Sequence, residues 1–164
     1  MRVLGIDPGF GRTGYGVIDA EAGRQRALEY GCIETLPHDE MGRRLADIYG
    51  ALNEVIGRYK PDAVAIEQLF FNRNVTTALK AAEARGVVVL AAEQAGVPQF
   101  TYTPLQVKQA VVGYGRAEKR QVQEMIKVLL GLTDVPKPDD AADALAIAVA
   151  HAQSQAIVSR LSGK

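Results

Sequence analysis

Apolar positions along the chain follow two periods. Residues 2–7, 14–19 and about 26–35 alternate or run apolar, break at Gly and Asp, and read as strands. Their short connections predict an antiparallel three-strand meander. From Met41 to Lys60 the spacing changes. Leu45, Ile48, Leu52, Val55 and Ile56 recur at helical intervals, and Pro61 punctuates the end. The stretch DAVAIEQ, residues 62–68, then reads as a short buried strand. A long helix is predicted from Asn74, ended by Gly96, and PQFTYT, residues 98–103, as a further strand. Helices follow over 103–113 and 117–132, joined by Tyr114-Gly115-Arg116. A last helix begins after Pro138 in DDAADALAIAVAHAQ, residues 139–153. This order predicts an α/β fold: a mixed sheet, antiparallel meander plus parallel strands, with helices on both faces.

Length and composition narrow the picture. At 164 residues the chain is expected to form one domain, 1–164, with the last dozen residues as a loose tail. Apolar residues make up 48% and charged residues 23%, as in a globular protein, and no window has the run of about 18 apolar residues that a membrane span needs. A strand begins within two residues of Met1, so no signal peptide is expected. Cys32 is the single cysteine, which excludes an intrachain disulfide and fits a reducing cytoplasm.

Net charge is zero, with 19 Lys+Arg against 19 Asp+Glu, which argues against a simple nucleic-acid coat. The distribution is uneven. Residues 71–130 hold eight basic and four acidic side chains, whereas residues 1–70 hold eight and eleven. A polyanion-binding surface beside an acidic pocket and ordinary surface variation explain this equally well.

Four acids stand out. Asp7 closes the apolar run Val3, Leu4, Ile6, and Glu67 closes Val64, Ala65, Ile66. Each ends a strand expected at the centre of the sheet. Buried carboxylates are costly without a cation, and neither strand carries a Lys or Arg beside its acid. Backbone N–H bonds in a turn explain either acid alone; a shared cation site explains both. On the last helix Asp140 and Asp143 share a face, continued by Ala144, Ile147 and His151. Asp139 and Asp140 suit a helix start, but Asp143 lies one turn in, on a face expected to point inward. The small residues Ala141, Ala142 and Ala144 permit a close approach to the sheet. If that helix crosses the strand ends, Asp7, Glu67, Asp140 and Asp143 form one oxygen-rich set without His or Cys, suited to hard cations and above all Mg²⁺. Two such ions suit phosphodiester hydrolysis. Gly9, Gly11 and Gly14 are expected to keep bulk away so that a phosphate backbone can approach.

The blocks GIDPGFGRTGYG, AIEQLFFNRN, VKQAVVGYGRAEKRQV and DDAADALAIA resemble, in order and spacing, the four signature blocks of the RuvC family of Holliday junction resolvases. The resemblance covers nearly the whole chain. It implies a ribonuclease H-like fold, a homodimer, and Mg²⁺-dependent cutting of two opposed strands of a four-way DNA junction to give ligatable nicks. It implies two Mg²⁺ per site, with Mn²⁺ able to substitute, and junctions received from the branch-migration proteins RuvA and RuvB. By position the catalytic and metal-holding acids are Asp7, Glu67, Asp140 and Asp143. The junction-probing aromatic falls on Phe70, and the DNA-contacting lysines on Lys108 and Lys119.

Other residues divide between roles. Phe70 and Phe71 are adjacent, so an extended backbone cannot bury both on one face. One belongs to the core, the other can wedge into a base step; spacing does not choose, and the resemblance selects Phe70. Arg73, Lys108, Arg116 and Lys119 are candidate phosphate contacts, each with a solvated surface charge as its plain alternative. The Gly113–Gly115 stretch reads as a closing loop or as a helix cap. The helix from Asn74 becomes apolar nearly all round at VVVLAA, residues 87–92, which suits an inner helix or a partner's contact, and Ala81, Ala82, Ala84 and Gly86 permit close pairing. His38 and His151 lack metal-ligand spacing. Two rival functions remain: an RNA-processing nuclease of the same fold, and an actin-like nucleotide-binding phosphotransferase. The latter group also begins with strand, Asp and Gly-rich turn, but needs two domains to enclose its nucleotide. A non-catalytic junction-binding module would have no use for the four acids.

Overall fold

In the computed structural model, which describes residues 1–70 and 74–162, the chain opens with three strands: β1 (Arg2–Asp7), β2 (Arg12–Glu21) and β3 (Arg24–Glu34). β1 pairs antiparallel with β2, and β2 with β3, which is the expected meander. Helix α1 (Met41–Tyr59) then carries the chain back, and β4 (Ala63–Glu67) adds in parallel beside β1. Helix α2 (Val75–Gln94) makes a second crossover to β5 (Gln99–Tyr102), parallel to β4. The sheet order is β3-β2-β1-β4-β5, so β1 and β4 lie at or beside its centre. Three helices follow: α3 (Pro104–Val112), α4 (Lys119–Leu129) and α5 (Asp139–Leu161).

Strand parity builds two cores. Leu4, Ile6, Val17, Val64 and Ile66 point to one face and pack against Ile48 and Leu52 of α1 and Val88 of α2. Val3, Ile18 and Ala65 point to the other, against Val107 of α3, Ile126 of α4 and the length of α5. Successive residues of a strand alternate faces, so each core takes every second side chain. The helices end where local chemistry stops them. Thr103 and Gln106 form a reciprocal cap at the start of α3, and Gly113 ends it at φ 80°. Gly113 is thus a helix cap, as one of the two readings of Gly113–Gly115 has it.

Two helices differ from expectation. α2 is not buried all round: it seats Ala84, Val88, Ala91 and Ala92 and leaves Leu79 and Leu90 exposed. α5 does not show one inward stripe; every residue from Ala144 to Ala152 is buried, and the helix runs on to Leu161. It is enclosed by the sheet on one side and by α3 and α4 on the other, so it has no polar face to set a period.

α5 lies almost directly on the strands. A Cβ added to Gly5 would sit 2.0 Å from the Ala144 carbonyl oxygen, and one added to Gly14 would sit 2.0 Å from that of Asp140. Both obstacles are backbone, which cannot rotate away. Gly50, exposed on α1, has nothing within 4 Å of such a Cβ. Gly5→Ala is therefore expected to destabilise the fold by roughly 3 kcal/mol, through overpacking. Gly50→Ala is expected to stabilise it by up to about 1 kcal/mol, through helix propensity. Urea unfolding of the two variants checks both signs.

Candidate active site

The site starts from parity. Val3 faces α5 and so does Gly5, hence Asp7, two residues on, ends β1 on that side. In β4, Ala65 faces α5 and so does Glu67. The strands run parallel with Ile6 beside Ile66, which brings the two acids together at the same end of the sheet. After Asp7 the chain turns through Pro8-Gly9-Phe10-Gly11, and Thr13 braces the turn by donating its hydroxyl to the Gly9 carbonyl at 2.6 Å. The first turn of α5 crosses over β2 at Gly14, which places Asp140 and Asp143 near the strand ends.

The four acids are not alike. Burial, the charges of Glu67 and Asp143, and a hydrogen bond with Glu67 raise the Asp7 carboxyl to about 8. Burial and the neighbouring carboxylates thus favour the protonated form at Asp7. Burial and the Asp143 charge also raise Glu67, opposed by the hydrogen bond from Asp7 and the charge of Lys119. Asp143 is raised by burial, with Lys119 opposing. Lys119 Nζ lies 3.1 Å from Asp143 and 3.4 Å from Asp139. Arg12 Nε lies 3.2 Å from Asp140, and its Nη2 lies 3.5 Å from Glu34. Among the described residues, no three of these carboxylates converge at ligating geometry. Asp7 and Glu67 are both pushed toward the protonated form, while Asp140 and Asp143 each hold a basic side chain.

The donor set still fits a hard divalent cation. It is all carboxylate oxygen, and three of its members are pushed up by burial and mutual repulsion, which added positive charge relieves. Lys119 and Arg12 already stand where cations are favoured.

The remaining candidates spread around this end. Lys108 and Lys119 line, with Glu67 and Asp143, a cavity of about 210 Å³ between β4, α3, α4 and α5. Phe70, three residues past Glu67, is 60% exposed. Arg116 is exposed on the α3–α4 connection. Phe71 and Arg73 lie outside the described residues. One expectation needs correction. Gly14 leaves its space to the backbone of α5, and Gly9 leaves its space to the Arg12 carbonyl within the turn, so that space is taken up by the chain itself. Asp143 pairs with Lys119, a contact that its place in the sequence does not signal. Sequence reasoning missed Arg12 altogether: it sits at the start of β2, and no periodicity signals a contact with a helix 128 positions later.

Comparison with known proteins places this geometry. A family model described as "Crossover junction endodeoxyribonuclease RuvC" matches residues 3–151. A crossover junction endodeoxyribonuclease RuvC of Brevibacillus brevis is 54% identical over 163 residues, covering 99% of this chain and 98% of the relative. A Thermus thermophilus RuvC structure superposes with a TM-score of 0.90 at 42% identity, covering 96% of this chain and 97% of that one. A second, of T. thermophilus RuvC in complex with Holliday junction substrate, gives 0.89 at 39% identity and 96% of each chain. The ribonuclease H-like architecture expected from the sequence is the one these structures share.

The raised Asp7 carboxyl makes a testable demand. Asp7 is raised from 3.8 to about 8, so between those values the native state holds a proton that the unfolded chain has released. Its contribution is full below about pH 4 and is lost as pH rises through about 8, so stability falls with rising pH. Asp7→Asn removes this term. In EDTA, the melting temperature of Asp7→Asn relative to the parent should climb between pH 5 and pH 8.5. Mg²⁺ at high pH should raise the parent more than the variant. A difference that stays flat with pH would mean that Asp7 takes up no proton on folding.

Proposed function

The chain belongs to the RuvC family of crossover junction endodeoxyribonucleases, and from that premise we propose that it resolves four-way DNA junctions by paired, symmetric nicks in a Mg²⁺-dependent reaction. The observation that carries the reading is the gathering of Asp7, Glu67, Asp140 and Asp143 at one end of the sheet by β1, β4 and α5. The relative solved with a Holliday junction supports the substrate.

Asp7, Glu67, Asp140 and Asp143 would hold the metal, Mg²⁺ or Mn²⁺, as up to two ions. When bound, the metal supplies Lewis-acid polarisation of the scissile phosphate and of the attacking water. The chain's own part is to be ready for it. Asp7 gives up its proton to solvent, since added positive charge lowers its pKa. Lys119 is free to leave Asp143 for a DNA phosphate, because an exposed ion pair is weakly held. Lys108 and Lys119 border the cavity of Glu67 and Asp143, so phosphates entering it meet positive charge. Arg116, exposed on the α3–α4 connection, extends that charge along the strand, and the sequence offers Arg73 as a further phosphate contact. Phe70 is a large apolar side chain with no core to fill, beside the second acid, and serves as the wedge that unstacks the junction centre.

A homodimer would match the near two-fold symmetry of the junction and place a site on each of two opposed strands. Leu79 and Leu90, exposed on α2, and the open surface at Gly86 between them offer its contact. We read residues 1–164 as one nuclease unit, at work on cytoplasmic DNA and supplied by RuvA and RuvB. Among the described residues no helix is long and apolar enough to cross a membrane.

Labelled four-way junction, linear duplex and RNA–DNA hybrid, each offered with Mg²⁺, test the reading. Symmetric nicking of the junction alone is expected; equal cutting of linear duplex would remove junction selectivity, and preference for the hybrid would favour RNA processing. Phe70→Ala should slow nicking at least tenfold while junction affinity changes by less than about threefold, because an unstacking wedge acts mainly in the distorted, reactive state. Binding and single-turnover cleavage on one junction separate the two effects.

A further inference from the structure

The β1–β2 turn carries a second cluster, on the opposite layer from the acids. Asp7 faces α5, but Phe10 packs against the core beneath α1 and α2. Two cations lie over its ring: the Arg44 guanidinium carbon at 5.1 Å and Lys80 Nζ at 5.6 Å from the centroid. Among the described residues neither cation has a carboxylate within 4.0 Å. The neighbouring Arg43, by contrast, pairs with Asp47 at 3.2 Å.

Arg44 is only 7% exposed. Its Nε donates to Thr35 Oγ1 at 2.8 Å, and that hydroxyl donates to the Phe10 carbonyl at 2.6 Å. The guanidinium is thus fixed to the turn that follows Asp7. Its Nη2 faces Gly11, 3.4 Å from where a Cβ there would sit. Neither Nη group has a hydrogen-bond partner among the described residues. A guanidinium this deeply set is ordinarily matched by an anion. A second cation drawn to the same ring adds to that demand, since the ring's quadrupole offsets only part of the charge. A tetrahedral phosphate suits the pair: Arg supplies a planar fork of donors and Lys a mobile point charge.

We infer that Arg44 and Lys80, held over Phe10, form a binding site for a backbone phosphate of the bound DNA strand. This rests on the reading of the chain as a junction nuclease. The site lies on the α1–α2 side of the turn that leaves Asp7, whereas Lys108 and Lys119 lie on the α3–α5 side. A strand crossing the catalytic end is then gripped from both layers, and the Phe10 turn between them is held in place by the DNA it positions.

The test uses the full chain in EDTA, so that binding is read without cleavage. Junction affinity is measured from 50 to 300 mM NaCl for the parent, Lys80→Gln and Lys80→Arg. Lys80 is exposed, so its replacement leaves the fold alone even if an Arg44 variant does not fold. Lys80→Gln should lower the slope of log K on log salt by about one unit, and Lys80→Arg should keep it. Single neutral methylphosphonates are then placed along the strand near the cut. At one position the parent should lose the same slope, and Lys80→Gln should add nothing there. A parent slope in Lys80→Gln, or additive losses at every position, would overturn the site. If the parent itself failed to prefer the junction over linear duplex, the junction reading would fall instead; intact preference with an unaltered Lys80→Gln would sink this inference alone.

Discussion

The contact on which the site depends is backbone against backbone: α5 resting on β1 at Gly5 and on β2 at Gly14. Side chains there would push the helix outward, and its first turn would carry Asp140 and Asp143 away from the strand ends. The packing is continuous rather than local. Leu145 covers Gly16 from the same helix, and Ala148 follows one turn on against Gly5. The helix is apolar along this length because it is enclosed by the sheet and by α3 and α4. Its only acids lie in its first two turns, where burial gives way to the open end of the sheet.

Bringing four carboxylates to that end is electrostatically unfavourable, and the chain answers in two ways. Asp7 and Glu67, on adjacent central strands, are both raised, so protonation relieves their repulsion. Asp140 and Asp143, nearer solvent, take Arg12 and Lys119 as counterions. These counterions come from β2 and α4, elements distant in sequence from α5. Both are half-exposed, and exposed ion pairs exchange readily. The arrangement is therefore stable without being closed. Each acid has a partner that stronger positive charge, or a phosphate nearby, can displace.

Much of this was legible in the sequence, and for a physical reason. A carboxylate at the end of an apolar run is an exception to burial, and exceptions are visible one residue at a time. Asp7, Glu67 and Asp143 stood out in that way, and the meander and crossovers followed from period and turn residues. What was not legible were relations across layers. The Arg12 and Lys119 ion pairs, the backbone contacts at Gly5 and Gly14, and the cations over Phe10 each join residues whose spacing in sequence carries no period. α5 was read as ending near Gln153 because beyond Ala152 the helix leaves the core: Ile157, Val158 and Leu161 are exposed and carry no buried stripe to extend the period. In α2 the apolar stretch at residues 87–92 was legible, but composition cannot say which side finds a neighbour; α1 covers one face and leaves Leu79 and Leu90 outside.

One parity choice joins the fold to the site. On β1 and β4, the side chains toward α5 are Val3, Gly5, Ala63 and Ala65, small for the most part, and those toward α1 and α2 are Leu4, Ile6, Val64 and Ile66. The small set lets α5 close on the strands; the large set fills the space beneath the two outer helices. Asp7 and Glu67 share the parity of the small set. A one-residue slip of β4 against β1 would put Val64 and Ile66 under α5, Ala65 beneath α1 and α2, and Glu67 among apolar side chains with no partner. Volume and polarity therefore oppose the same error. The register that seats the helix is the register that brings the acids together, so the acidic end needs no separate device to align its two strands.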